Sequence, residues 1–261
     1  MGALKKTLPC SARCDTPCGI ILEVLEKRMP KMKIVSYNIS SCSQKKVDEL
    51  LNLQADIYVA PEISCNEEIN LPSGFEMAWN GLKWTNSKGA GVSKGLGVIW
   101  KKESAFVPEW HNPNLNYAIP LLCNDILVLG IWPTKDKKLP EQSYSQIARN
   151  ILESYEPHFK PKTIITGDFN LFFGNGKNRD ADIVPINDFL ESNGFKSLYH
   201  KTTGESFGSE SKTTYFHQFK ETQPFFLDYT YSNFSVKNYE LLPWNKEFSD
   251  HVGQVIKIED L

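Results

Sequence analysis

The feature that most constrains the fold is a series of short, β-branched apolar runs that each end on a polar residue. Residues 34–38 close on Asn38, residues 56–60 are followed by Pro61 and Glu62, and residues 163–167 lead into Asp168 and Asn170. Such runs suit strands buried on both faces. Segments of helical spacing lie between them. Residues 45–53 carry Val47, Leu50, Leu51 and Leu53; residues 142–155 carry Ile147, Ile151, Leu152 and Tyr155; residues 183–193 stop at Asn193-Gly194. Further strands are predicted at 75–79, 95–100 and 125–132, the last ended by Pro133. Beyond Gly194 the pattern is strands only, at 213–216, 225–231, 236–241 and 252–258. Early interleaving followed by late strands predicts an α/β fold of two facing mixed sheets with helices outside. A doubly wound parallel sheet would want a helix after each late strand, and fits less well.

A length of 261 residues favours one large domain, and 41% hydrophobic with 12% aromatic residues can fill its core. The net charge of -2 argues against a non-specific DNA coat protein, yet leaves room for a local basic loop. No run approaches the roughly 18 apolar residues that span a bilayer, so no membrane association is expected. Cys10, Cys14 and Cys18 are spaced more widely than usual zinc ligands and have no second ligand pair. With Cys42, Cys65 and Cys123 scattered, a reducing cytoplasm is the plainer expectation. The basic start and short apolar stretch 19–22 make a poor signal peptide. Residues 1–31 are expected to be a leader, either a loose arm or an extension ahead of a start at Met32, with the domain at 32–261.

Several polar residues stand at strand ends: Asn38, Glu62, Asp168 with Asn170, Asp228 and the pair Asp250-His251. A carboxylate there is costly to bury unless it is paired or binds a cation. One is unremarkable as a cap, but four beside an asparagine and a histidine suggest a site. Asp168 and Asn170, two apart, point to one face of extended backbone while Phe169 points to the other. Gly167 permits a tight turn or a close substrate approach. Alone, Gly167-Asp168-Phe169-Asn170 would read equally well as a turn.

The motifs Ser36-Tyr37-Asn38, Pro61-Glu62, Gly95-Leu96-Gly97-Val98, Gly167-Asp168-Phe169-Asn170, Leu227-Asp228-Tyr229 and Ser249-Asp250-His251 occur in one order across residues 33–258. In that order the chain resembles the endonuclease/exonuclease/phosphatase superfamily, in a divergent, prokaryotic-type branch. The resemblance implies a four-layered α/β/β/α sandwich of the deoxyribonuclease I type, and a Mg2+-dependent phosphodiesterase for which Mn2+ could substitute. It implies Glu62 as metal ligand, helped by Asn38 and Asp250; Asp168 as the group that orients or deprotonates water; and Asn170 as donor to a phosphoryl oxygen. It further implies His251 as a phosphoryl contact held by Asp228. Mg2+ takes oxygen ligands and keeps several waters, so few carboxylates suffice to hold it.

The chain departs from the family where a histidine or tyrosine is often found before the long helix. There it has Trp132, which can act as a wall or stacking surface but not as an acid or base. Tyr37 and Pro61 are milder departures, at positions where tryptophan and glutamine are common. A glycine- and lysine-rich loop at 85–94 offers Trp84, Lys88 and Lys94 as substrate contacts, beside the plainer reading of a solvated connection. Lys135, Lys137 and Lys138 are expected at the surface, and His111, His158 and His200 in packing or surface roles. His217 could line the pocket, and Cys42 and Cys65 could edge it as inert fillers. The expected function is a nuclease on DNA or RNA, with no protein partner inferable. A small-molecule phosphodiesterase or phosphatase, and a catalytically silent binding protein, are the alternatives.

Overall fold

The structure, a computed structural model, describes residues 31–65, 68–85, 88–89, 91–115, 117–135, 142–174 and 180–259. Cys10, Cys14, Cys18, Lys137, Lys138 and the expected leader apart from Lys31 lie outside the described residues.

The first half runs β1 (Met32–Ser36), α1 (Gln44–Leu51), β2 (Ile57–Ile63), β3 (Phe75–Thr85) and β4 (Gly91–Lys101). Then come β5 (Ala118–Cys123), β6 (Ile126–Ile131), α2 (Tyr144–Tyr155) and β7 (Lys162–Asp168). The remainder is α3 (Val184–Ser192), β8 (Lys196–Ser197), α4 (Leu198–Thr203), β9 (Tyr215–Phe216), β10 (Pro224–Phe225), β11 (Asp228–Ser232), β12 (Asn238–Leu241) and β13 (Gln254–Ile258). One sheet has the order β12-β13-β1-β2-β4-β3 and the other β5-β6-β7-β11-β8, while β9 and β10 form a small hairpin. Each large sheet holds one parallel pair among antiparallel neighbours: β1 with β2, and β6 with β7. Parallel neighbours need a crossover, and α1 and α2 supply it.

Alternation along the strands creates the layers. Ile34, Val59 and Val98 of the first sheet join one core with Leu121, Val128 and Ile165 of the second, and Ile151, Leu152, Ile186 and Leu190 close that core from α2 and α3. The opposite face of the first sheet, with Val35, Tyr58 and Ile99, packs on Val47 and Leu50 of α1. The order is thus helix, sheet, sheet, helices, the four-layered sandwich expected from the sequence. Both crossover helices start on serine caps: Ser43 accepts from Lys46 N, and Ser143 with Gln146 forms a reciprocal capping box. Among the described residues no helix is long and apolar enough to cross a membrane.

Four local expectations need correction. Pro61 does not stop β2; the strand continues to Ile63 through a bulge between Pro61 and Ile63. The missing proline N–H falls beside that disruption, where a ladder bond is not required. Part of the glycine-rich stretch 85–94 is strand, since β3 and β4 pair from Phe75↔Lys101 to Thr85↔Gly91. β5 was not expected, because Pro120 interrupts its pattern; β5 is an edge strand, which tolerates proline. The late region is not strands only, for α4 intervenes, ended by Gly204 at φ 75°.

Candidate active site

The topology gathers the polar strand ends. The parallel strands β1, β2, β6 and β7 finish at one rim, with Glu62 near the end of β2 and Asn38, Trp132 and Asn170 just beyond the other three. The antiparallel partners β11 and β13 start at the same rim, at Asp228 and just after Asp250-His251. Asp228 is the register partner of Asp168. Gly167 makes the approach possible: at φ 154° a Cβ there would lie 1.8 Å from the Ile131 carbonyl oxygen. The close neighbour of this glycine is therefore strand β6, which adds a packing reason to the expected turn or substrate approach.

Five of the expected residues are joined by hydrogen bonds. Buried Asn38 donates from Nδ2 to Asp168 Oδ2 at 2.9 Å, and Asn170 N donates to Asp168 Oδ1 at 2.9 Å. His251 Nδ1 donates to Asp228 Oδ2 at 2.9 Å, which leaves Nε2 facing Asp168 Oδ2 at 3.9 Å. Ser249 ties the ends together, donating from Oγ to the Asn38 carbonyl at 2.6 Å and accepting from His251 N at 3.0 Å. Asn170, at φ 52°, donates from Nδ2 to the Pro133 carbonyl at 3.0 Å. One amide hydrogen remains for another acceptor.

Burial sets the protonation of this network. It pushes the Asp168 carboxyl up to about 7, against the pull of His251 and with the push of Asp228. Burial also opposes charge on His251, but Asp228 and Asp168 outweigh it and hold the imidazolium up to about 9. Asp228 is likewise raised by burial, with His251 and Thr214 opposing. A cationic imidazole thus stands between two carboxyls, one of which titrates near neutrality. Although Asp168, Asp228 and His251 lie close enough to share an ion, their facing atoms are committed to one another. They read better as a proton-holding network than as a metal cage.

The oxygens suited to a hard cation are elsewhere. Asp250 Oδ1 is buried and has no hydrogen-bond partner among the described residues, an orphan that a cation would satisfy. Glu62, turned out of the strand by the bulge at φ 66°, already pairs with a cation, the Lys94 ammonium at 2.5 Å. Glu62 and Asp250 share a neighbourhood, because the Lys46 ammonium and the Tyr215 hydroxyl each lie in the field of both. The residues present therefore fit a divalent ion. Asn38 commits its N–H to Asp168 and its Oδ1 to Ser40 N, so Oδ1 is the one side-chain atom it could offer such an ion.

The expected substrate contacts divide. Lys94 reaches Glu62 and stands 5.7 Å over the ring of buried Trp132, which brings both to the rim. Lys88 sits in the β3–β4 turn, beyond the start of the strand that carries Lys94. Trp84 is on β3, with its side chain outside those described. His111, His158 and His200 pack as expected, bonded to Tyr155, stacked on Trp110, and bonded to Ser197 and Glu210. Two residues went unforeseen. Lys46 of α1 donates to the Ile39 and Ser40 carbonyls behind the site. Tyr215 packs on His251 with ring centroids 4.6 Å apart and hydrogen-bonds His217 Nδ1 at 3.0 Å. A basic residue on the first helix and a tyrosine in a short strand carry no signal that sequence alone would separate from the background.

No family model and no curated protein matches the chain. Solved structures do. The chain is similar to the 3' phosphatase NExo from Neisseria bound to a product DNA hairpin, at 15% identity and TM-score 0.63, covering 87% of this chain and 99% of that one. It is similar to an AP endonuclease from Archaeoglobus fulgidus, at 14% identity and TM-score 0.61, covering 88% and 100%. A third likeness is to an endonuclease/exonuclease/phosphatase family protein from Bacteroides thetaiotaomicron, at 14% identity and TM-score 0.55, covering 89% and 99%. The chain shares the fold of these structures. At these identities the likeness concerns architecture, and the chemistry must be argued from the side chains.

Proposed function

We propose that this protein is a divalent-cation-dependent phosphodiester hydrolase acting on nucleic acid. The observation that carries the reading is the buried Asn38–Asp168 and Asp228–His251 network beside the orphaned Asp250 oxygen. Hydrolysis of a phosphodiester needs an activated water in line with the leaving oxygen, and neutralisation of the charge on the phosphoryl oxygens. Asp168, titrating near neutrality, takes the proton of that water while Asn38 and the Asn170 backbone N–H hold its carboxylate in place. The His251 imidazolium and the second amide hydrogen of Asn170 donate to the phosphoryl oxygens. Asp228 fixes the imidazole through Nδ1 and keeps it charged. Glu62 and Asp250, with Asn38 Oδ1, would hold Mg2+ or Mn2+, which supplies Lewis-acid stabilisation of the developing negative charge. Loading requires Lys94 to leave Glu62, and Trp132 offers its ring face as the next resting place.

Nucleic acid as substrate is supported by the architecture shared with a 3' phosphatase bound to a DNA hairpin and with an AP endonuclease. The net charge of -2 favours a second reading, a small phosphodiester on the same machinery. Nicking of supercoiled plasmid with Mg2+, set against turnover of a chromogenic phosphodiester, separates the two. Asp168→Ala and His251→Ala should each abolish hydrolysis and leave a folded protein; unslowed hydrolysis in both variants would refute the assigned roles.

A further inference from the structure

The hydrolytic reading leaves one requirement unmet. When a nucleic-acid strand is cut, the departing group is an alkoxide, which needs a proton or strong charge stabilisation to leave. Just beyond the end of β6 the rim holds Trp132, which is no acid. His251 is committed on the other side, because its Nε2 faces Asp168. In-line displacement puts the leaving oxygen opposite the water that Asp168 activates. Lys94 pairs with Glu62 and, once a cation displaces it, rests on the Trp132 ring.

We propose that Tyr215 is the general acid of this site, giving its hydroxyl proton to the leaving oxygen, and that His217 returns the proton from solvent. The inference rests on the hydrolase reading above. Four observations carry it. Tyr215 is bridged backbone to backbone with His251, so its position is coupled to that of the phosphoryl contact. Its ring packs on the His251 ring, with centroids 4.6 Å apart and planes tilted by 38°. The hydroxyl is hydrogen-bonded to His217 Nδ1 at 3.0 Å, and His217 is exposed where Tyr215 is half-buried. A protein-side donor is thereby wired to a solvent-side one. Finally, the hydroxyl lies in the field of Asp250, Asp168 and Glu62, which places it at the rim. In the step, water oxygen bonds to phosphorus, the ester P–O bond breaks, and the departing oxygen takes the Tyr215 proton. The tyrosinate then recovers a proton from His217 Nδ1–H as Nε2 takes one from solvent, and the exposed ring returns to its starting tautomer by proton exchange with solvent.

Leaving groups of different basicity test this in the full chain. A short DNA oligonucleotide leaves as an alkoxide, whereas bis(p-nitrophenyl) phosphate leaves as a stable phenolate that needs no proton. Tyr215→Phe should lower kcat/KM on the oligonucleotide by about a hundredfold and on the nitrophenyl ester by less than about tenfold. His217→Gln should show a smaller loss, confined to the oligonucleotide and restored by imidazole in the buffer. If Tyr215→Phe folds poorly, 3-fluorotyrosine at position 215 replaces it, and the oligonucleotide rate alone should respond. Equal losses on both esters would mean that Tyr215 only packs against His251, and would overturn the proposal, as would an undiminished oligonucleotide rate. A wild-type protein inactive on both esters would remove the hydrolase reading itself, a failure visible before any variant is compared.

Discussion

Replacing Asp228 by asparagine isolates the charge that holds His251. The two side chains are both buried and lie 2.9 Å apart, so the substitution keeps shape and removes the negative charge. The rise of His251 from its ordinary 6.5 to about 9 is worth about 3 kcal/mol of preference for the imidazolium, at about 1.4 kcal/mol per pH unit. A raised histidine stabilises the fold fully below 6.5, where folded and unfolded chains are both protonated. That contribution drains away as pH climbs toward 9, where the folded protein alone keeps the proton until it too lets go. Without metal, the wild-type unfolding free energy from urea titrations should therefore fall by about 3 kcal/mol between pH 6 and 9.5 through this group. In Asp228→Asn, burial acts with less opposition and the histidine should titrate well below its wild-type midpoint. This part of the decline should then be missing. The chain has five histidines, so the imidazole resonance of His251 can be assigned by comparison with His251→Gln and its midpoint read directly by NMR. A wild-type midpoint near 6.5, or one that Asp228→Asn leaves in place, would refute the view that paired carboxyls overcome burial here.

Other variants probe other parts of the site. Asn38→Ala removes a hydrogen bond to the Asp168 carboxylate worth about 1.5–3 kcal/mol; since that bond favours the charged form, the acid limb of the pH–rate profile should move up. Gly167→Ala forces a methyl group against the Ile131 carbonyl and should lower the urea midpoint by the equivalent of about 3 kcal/mol or more; a wild-type midpoint would mean that β6 and β7 lie farther apart. Asp250→Asn should weaken Mn2+ binding, followed by EPR, by about tenfold or more. Lys94→Met should strengthen it, because a competing cation is removed from Glu62; weaker binding in Lys94→Met would assign that lysine a supporting role instead.

The legibility of this site in the sequence followed from chain direction. Asn38, Glu62 and Asp168 close runs too apolar to be anything but buried strands, so each stood out as a polar residue where a strand ends. Strand order was not readable, because it depends on which apolar faces meet across about 10 Å of core. The facing of Asp228 and Asp168, register partners sixty residues apart in chain, is therefore a product of topology that spacing alone could not reveal. The bulge at Glu62 was hidden for a different reason. Pro61 is a reliable stop in an isolated strand, and only the ladder with β4 shows that the chain continues past it.

The residues that sequence reasoning passed over have a common physical character. Tyr215 and Lys46 are amphipathic side chains whose apolar bodies pack while their polar ends reach the rim, and so they resemble ordinary surface or core residues in composition. Their chemistry arises from neighbours supplied by other elements: His251 and His217 for Tyr215, the Ile39 and Ser40 carbonyls for Lys46. The carboxylates differ because burying one is costly wherever it happens, so its mere presence at a strand end already implies a partner. A neutral phenol carries no comparable penalty, and nothing in its immediate sequence announces it. In a fold of this kind, then, the groups that hold charge can be read from strand ends. Tyr215, set by a hairpin that packs on His251, becomes visible only once the elements are brought together.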